Sequence, residues 1–313
     1  MRLTLRWLAA GLVVSGSAVY LLQADDSVPT PPPRPHALLR FAPQVPVEHH
    51  AYSATRLTFV AYGRTVLDLP ILMYHYIREP PPFRLDPIGY KLSVAPDVFA
   101  AQMDWLAAND YHTVTFEDMR RYWARVAPLP PRPVIITLDD GYSDLYTAAF
   151  PILSGHGFTA VAYIVSGFVG QRGYVTQAEV QEMDRYGIEI AAHSVNHANL
   201  ARCSQATLTY QLAQSRSWLE SVLGHPVIDM AYPSGQYNQA TIGAVQRAGY
   251  YSAVTEVNSV QHTEADRYEW GRVRVTGGEP LPLFVANLGP AMPTVTVIRP
   301  TSDTTPAALR QRT

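Results

Sequence analysis

Between about residue 55 and residue 285 the chain repeats one pattern: a short β-branched, aliphatic or aromatic run, then a stretch with helical periodicity. The runs are 71–77 (ILMYHYI), 111–114, 134–138 (VIITL), 159–165 (TAVAYIV), 188–192 (IEIAA), 227–231 (VIDMA), 251–255 and 272–275. Between them, Phe99, Met103 and Leu106 fall at i, i+4 and i+7, with Pro96 in the first helical turn. Thr115-x-x-Asp118 and Thr176-x-x-Glu179 read as capping boxes. Gly155, Gly187, Gly224 and Gly249 read as helix ends. Strands alternating with helices imply a parallel sheet with the helices outside it. Eight strand candidates point towards closure as a (β/α) barrel, where chemistry sits on the loops at the C-terminal strand ends. The polar residues directly after each run are therefore the candidates for function.

After VIITL come Asp139, Asp140, Gly141 and Tyr142. Adjacent carboxylates repel each other unless a cation or donor compensates them, although Asp-Gly is also a common turn. After IEIAA come His193-Ser194-Val195-Asn196-His197. A spacing of four puts both imidazoles on one face of a helical turn, which suits bidentate metal binding. Tyr232-Pro233-Ser234-Gly235, after VIDMA, is by itself an ordinary turn. His75, among apolar neighbours, reads alone as a packing histidine, and Arg272 as a surface or ion-paired arginine. Together, Asp140, His193 and His197 offer one oxygen and two nitrogens and leave positions open, the plan of a catalytic zinc-type site. Asp139 beside them would be a base on an activated water. One divalent metal ion is the expected cofactor, zinc ahead of cobalt or nickel.

Composition narrows the remaining classes. A net charge of −2 lacks the basic excess of a phosphate-driven nucleic-acid binder. One cysteine, Cys203, excludes an intramolecular disulfide and any all-cysteine metal site. At the N-terminus Arg2 and Arg6 precede an apolar run from Trp7 to Leu22, and Asp25 and Asp26 follow. That order matches a secretory signal or an uncleaved signal anchor over residues 1–24. The run is somewhat shorter than the roughly 20 residues that span a bilayer. Residues 25–47 are Pro-rich and read as an extended linker. A short extension with a hairpin around Gly63 is expected at 48–68, the catalytic domain at 69–285, and a disordered tail at 286–313. The chain is thus expected to be exported: periplasmic, extracellular, or anchored facing outward.

The string Thr137-Leu138-Asp139-Asp140-Gly141-Tyr142, then His193-Ser-x-x-His197, then Tyr232-Pro-x-Gly235 resembles the successive motifs of NodB-homology polysaccharide deacetylases, the fourth carbohydrate esterase family. Leu72-Met73-Tyr74-His75 and Phe99-x-x-Gln102-Met103 further resemble the permuted subgroup that deacetylates poly-β-1,6-N-acetylglucosamine. The resemblance spans about Leu69 to Thr276. It implies a distorted (β/α)7 barrel, one strand fewer than the runs suggest. It also implies removal of N-acetyl groups from an exported or cell-wall polysaccharide, with release of acetate. Asp139 would be the general base, and Asp140, His193 and His197 the metal ligands. The family's late Leu-x-His motif is absent, and in the permuted subgroup its acid role falls to the N-terminal histidine, here His75. Ala231 stands near the usual third-motif arginine, and Arg272 resembles the arginine that orients the base in the permuted subgroup. Tyr232 and Ser234 would serve the oxyanion and the substrate, Ser234 through its N–H in place of the usual aromatic residue.

Other readings share these residues. An O-acetyl esterase and a hydrolase of small cyclic amides use the same chemistry. A non-catalytic glycan-binding protein on the same fold would retain the motifs without metal. A barrel glycoside hydrolase needs two carboxylates about 5–10 Å apart rather than an adjacent pair. Tyr142, Tyr237 and Trp270 offer sugar-stacking surfaces, with core packing the simpler reading.

Overall fold

Residues alternate sides along each central strand, and both sides are apolar. On β6 (Pro133–Leu138), Val134, Ile136 and Leu138 pack outward under helices, whereas Ile135 points into the curl of the sheet. On β7 (Val161–Ile164), Ala162 and Ile164 point outward, and Val161 and Tyr163 inward. A period of two with both faces buried is the signature of a parallel sheet covered by helices. The computed structural model describes residues 64–289 and 296–298. The leader, the linker, residues 48–63 of the extension and most of the tail lie outside the described residues.

The chain begins with β1 (Arg64–Asp68), β2 (Ile71–Tyr74), β3 (Tyr76–Ile77), α1 (Pro87–Leu92), β4 (Ser93–Val94), α2 (Pro96–Ala108), β5 (His112–Thr113) and α3 (Phe116–Trp123). After β6 come α4 (Phe150–Gly155), β7, α5 (Gln177–Tyr186), β8 (Glu189–Ala192), α6 (Gln205–Leu223), β9 (Asp229–Ala231) and α7 (Gln239–Arg247). It closes with β10 (Ser252–Val254), β11 (Gln261–His262), β12 (Val273–Arg274), α8 (Leu281–Asn287) and β13 (Thr296–Ile298).

All eight predicted runs form strands, but they do not form an eight-stranded barrel. The main sheet runs β10-β9-β8-β7-β6-β2-β12, seven strands paired in parallel. The eighth, β5, is two residues long and pairs only with the start of β6. The expected closure is also corrected, because the sheet is a curled half-barrel. The edges β10 and β12 do not pair as strands; the irregular chain entering β12 bonds instead to β10 and the residues just after it. Thr255 N–H donates to Trp270 O and Trp270 N–H to Ala253 O, while Arg272 N–H reaches Val257 O.

The helix signals hold where local chemistry sets them. Pro96 opens α2, and Phe99, Met103 and Leu106 are its buried face. Both capping boxes form, at Thr115/Asp118 and Thr176/Glu179. Gly187 and Gly224 end α5 and α6 in left-handed conformations, as Gly249 does just past α7. Gly155 differs: it closes α4 without a positive φ, and Gly157 supplies the left-handed residue instead.

Residues at both ends of the expected 69–285 span, and just beyond them, pack with its core. Leu67 and Leu69 plug the interior of the half-barrel beside Phe116, Tyr163 and Trp270. Phe284 and Leu288 pack into the outer core. The Arg64–Asp68 part of the extension pairs antiparallel with distant β11 and with β13, and the hairpin expected around Gly63 lies outside the described residues. Thr296–Ile298, in the tail expected to lack structure, gains from β1 the backbone partners that a Thr- and Pro-rich segment cannot supply itself.

β11 carries a buried histidine with a consequence for pH stability. His262 Nε2 lies 2.9 Å from Leu69 O, and Nδ1 has no partner. Burial pushes its pKa from 6.5 down to about 4, against weaker opposition from the Leu69 hydrogen bond, Asp266 and Asp68. The folded state therefore holds this imidazole neutral while the unfolded chain takes up a proton, so stability falls as pH drops from 6.5 towards 4. The expected loss from this group is about 3 kcal/mol between pH 7.5 and pH 4. His262→Gln, whose amide can still donate to Leu69 O, is expected to flatten that slope. Equal slopes by urea titration of the two proteins would show that His262 is not the acid-sensitive group.

Candidate active site

The C-terminal ends of the strands converge on a cleft of about 780 Å³ whose lining includes His75, Asp140, Tyr142, His193, His197 and Ser234. The backbone that delivers them is unusual. Among the described residues, four of the seven non-glycine residues with left-handed φ lie here: Asp140 (74°), Ser194 (62°), His197 (56°) and Ser234 (52°). Such conformations cost of order 1–3 kcal/mol each and persist where surrounding structure enforces them. Gly141 follows Asp140 with φ 74°, and a Cβ there would stand 3.1 Å from Ile164 Cδ1, so the turn takes glycine for two reasons. Gly235 lets the turn after β9 close on Glu256, where a Cβ would fall 2.9 Å from that side chain.

The two histidines meet, but not through the helical turn expected from their spacing. His193 leaves the end of β8 extended, and residues 194–196 form a turn that ends in left-handed His197. The ring centroids are 4.9 Å apart. Asp140 Oδ1 is 3.4 Å from His193 Nε2 and 3.3 Å from His197 Nε2, yet this buried oxygen has no hydrogen-bond partner. His193 Nδ1 lies 2.9 Å from Ala231 O, which assigns the proton to Nδ1 and leaves the Nε2 lone pair facing Asp140. An orphaned carboxylate oxygen facing two imidazole nitrogens, all within 4.8 Å of one another, fits a small divalent cation. Burial alone would lower His193's proton affinity, but the neighbouring Asp140 and Asp139 carboxylates raise it. His197 shifts down through burial and the neighbouring His193.

Asp139 lies beneath this triangle, almost fully buried. Arg272 grips it with a two-pronged fork, NH1 to Oδ1 and NH2 to Oδ2, both 2.7 Å. The fork is itself held: NH1 also donates to Thr137 Oγ1 (2.9 Å), and Nε donates to Thr255 O (3.0 Å). The guanidinium is wholly buried, 5.5 Å from the centroid of the Tyr163 ring. Arg272 is therefore an interior arginine, not the surface residue its neighbours in sequence suggest. Burial pushes the Asp139 carboxyl up, but the charge and hydrogen bonds of Arg272 reverse this and hold it far below the usual carboxylate range. Ala231, small where the family resemblance expects arginine, belongs to the same interior cluster as Tyr163 and Trp270.

His75 sits at the break between β2 and β3, with Nε2 3.9 Å from Asp139 Oδ2. It is a cleft residue, not a packing histidine. Burial lowers its pKa, and the nearby Asp139 and Asp140 oppose this only in part.

The third motif divides. Ser234 lines the cleft, and among the described residues its N–H has no hydrogen-bond partner. Tyr232 does not line the cleft: its ring is buried and stacked on Tyr237 at 4.7 Å, its hydroxyl donates to Tyr268 O, and its N–H is taken by Val254 O. Of the three candidate stacking residues, Tyr142 lines the cleft between Tyr76 (3.7 Å) and Tyr174 (5.2 Å). Trp270 is core, stacked on Phe116 and Trp123.

Sequence reasoning missed Glu256 and Arg274, an ion pair on the cleft wall. Both had a signal. Glu256 is the first charged residue after the run 251–255, and Arg274 shares Arg272's side of the strand two residues further on. Lys91 and the residues around it, which also reach the cleft, had none.

A cation-sized nest of one carboxylate and two imidazoles, beside a second carboxylate clamped by arginine, defines a hydrolase cleft on an α/β half-barrel. Comparison with known proteins specifies the class. A family model described as polysaccharide deacetylase matches residues 127–253. YxkH of Bacillus subtilis (strain 168), a polysaccharide deacetylase by name, is 30% identical over 210 residues, 67% of this chain and 72% of its own. The poly-β-1,6-N-acetyl-D-glucosamine N-deacetylase of Staphylococcus aureus (strain MSSA476) is 27% identical, and the match spans 56% of this chain and 66% of that one. The Streptococcus pyogenes deacetylase PplD, solved with acetate, superposes with TM-score 0.66 at 26% identity, covering 73% of this chain and all of PplD. IcaB from Ammonifex degensii, at 23% identity and TM-score 0.62, shares the fold. The chain belongs to the polysaccharide deacetylase family.

Proposed function

We propose that the protein is a metal-dependent N-deacetylase of N-acetylglucosamine polymers. The observation that carries this is the Arg272–Asp139 fork set directly beside the Asp140/His193/His197 nest in one cleft. A divalent ion in that nest, zinc by its ligand set, would supply Lewis-acid polarisation of the acetamide carbonyl and of the attacking water. Asp139, kept ionised by Arg272, takes the proton as the water oxygen bonds to the carbonyl carbon. The Ser234 N–H faces the developing oxyanion; one preorganised donor of this kind is worth about 10²–10³ in rate. The C–N bond then breaks, and the amine leaves with a proton from His75. His75 rests neutral and gains that proton during the cycle from the Asp139 side, 3.9 Å away. Acetate and a free amine result. An acid positioned for the leaving group favours amide over ester cleavage, because an amine leaves far less readily than a sugar alcohol unless protonated.

The Staphylococcus aureus relative's named substrate supports a β-1,6-linked polymer here. The Arg-flanked apolar run of residues 1–24 followed by the Pro-rich linker supports export, with the segment either cleaved or retained as an anchor.

The decisive experiment is acetate release from β-1,6- and β-1,4-linked N-acetylglucosamine polymers, with and without chelator. Release from the β-1,6 polymer, loss with chelator and recovery on adding zinc are expected, with about one metal ion per chain and none in Asp140→Ala. Chelator-resistant release would remove the metal from the reading. A metal-loaded protein that binds glycan but releases no acetate would favour the binding-protein alternative.

A further inference from the structure

Phe83, Leu85 and Ile88 are large apolar side chains left 52%, 82% and 73% exposed within six residues of one another. Clustered apolar surface of this kind marks an interaction site. The segment carrying them is held rigidly. Pro80, Pro81 and Pro82 precede it, and Leu85 and Asp86 N–H donate to Pro82 O. Asp86 caps α1 by accepting from Gly89 N–H at 2.8 Å. The Phe83 ring meets Tyr90 edge-on at 5.4 Å. Tyr90 in turn lies against Gly277 and Gly278, where a Cβ would fall 1.9 Å from Tyr90 O and 2.2 Å from its hydroxyl. The loop is thus clamped to the β12–α8 connection, with its apolar side chains presented in a set geometry. Phe83 and Ile88 line the same cleft as His75 and Asp140, whereas Leu85 does not.

We propose that Phe83 and Ile88 form an apolar lip that holds the sugar next to the one being deacetylated. The occupant is then a chain of β-linked N-acetylglucosamine units rather than a monosaccharide. In a β-linked N-acetylglucosamine unit the ring substituents lie equatorial and the axial C–H groups form an apolar face that packs on aromatic and aliphatic surface. The remaining polar edge suits Glu256, Arg274 and Lys91 in the same cleft. A membrane is the other surface that an exposed apolar loop can meet. Against it, two of the three side chains line the cleft, and Tyr90, on which Phe83 packs, lines it too.

This inference rests on the deacetylase reading but is tested separately from it. Acetate release and calorimetric binding are measured on the full chain with N-acetylglucosamine and with its β-1,6-linked pentamer. Phe83→Ala and Ile88→Ser are expected to raise KM and Kd for the pentamer roughly tenfold, with kcat within about twofold and the monosaccharide unaffected. Leu85→Ser, at the most exposed of the three but outside the cleft, is expected to change neither. Equal losses on monomer and pentamer, or none on either, would overturn the lip. So would variants that lose sedimentation with phosphatidylglycerol vesicles while keeping pentamer affinity, which would make the loop a membrane contact. A wild-type protein that binds the pentamer without releasing acetate would sink the deacetylase reading, and the Kd comparison would still decide the lip. Absence of any pentamer binding overturns it.

Discussion

Asp139→Asn is expected to lower acetate release by at least about a thousandfold, the upper range for removing a general base. The nest is untouched by this change, so metal content should stay at the wild-type value. Stability should not. An asparagine keeps one acceptor for Arg272 NH1 but turns an amide NH2 towards a guanidinium NH2 that now bonds Oδ2 at 2.7 Å. It also removes the charge that compensates a wholly buried arginine. A lower Tm is therefore part of the expected result, and rates must be compared well below it. Near-normal turnover in a folded, metal-loaded variant would mean that another residue takes the proton.

Arg272→Ala is expected to cost about 3–5 kcal/mol by urea titration, because it strands a buried carboxylate without its partner. The pH dependence follows with a definite sign. In the wild type the folded-state pKa of Asp139 is depressed, so its stabilising contribution is present above the ordinary carboxylate pKa and lost only as pH falls through a much lower value. Without Arg272, burial dominates and raises that pKa. The acid limb of both stability and residual activity should then move to higher pH. Arg272→Lys restores charge but not the fork, and is expected to recover stability in part and turnover poorly. An Arg272→Ala protein as stable as wild type would show that the fork is not what keeps Asp139 charged in the interior.

The residues of the nest were legible because their signal is local. Asp140, His193 and His197 each follow an apolar run, and the chemistry of adjacent carboxylates and paired histidines narrows what they can hold. The capping boxes of α3 and α5 and the buried face of α2 were legible for the same reason: partners three or four residues apart identify each other. The same logic failed where local pattern underdetermines backbone. The His193–His197 spacing suggested a helical turn, but the pair converges through left-handed Ser194 and His197, which no period encodes. The resemblance of the Tyr232-Pro-x-Gly235 motif made Tyr232 a site candidate, yet its ring is buried in the core.

What the sequence determined by itself was the alternation that forces a parallel, helix-covered sheet, and the carboxylate and two imidazoles, Asp140, His193 and His197, that come together at its strand ends. The family resemblance pointed to Arg272 and His75, but only the tertiary structure showed the fork by which Arg272 clamps Asp139 across 133 residues, the cleft His75 shares with them, and a sheet that stops at a half-barrel. Periodicity and caps are satisfied within a few residues. The pairing of a buried charge is satisfied wherever the fold brings a counter-charge into the same water-free interior, and that depends on packing the whole chain.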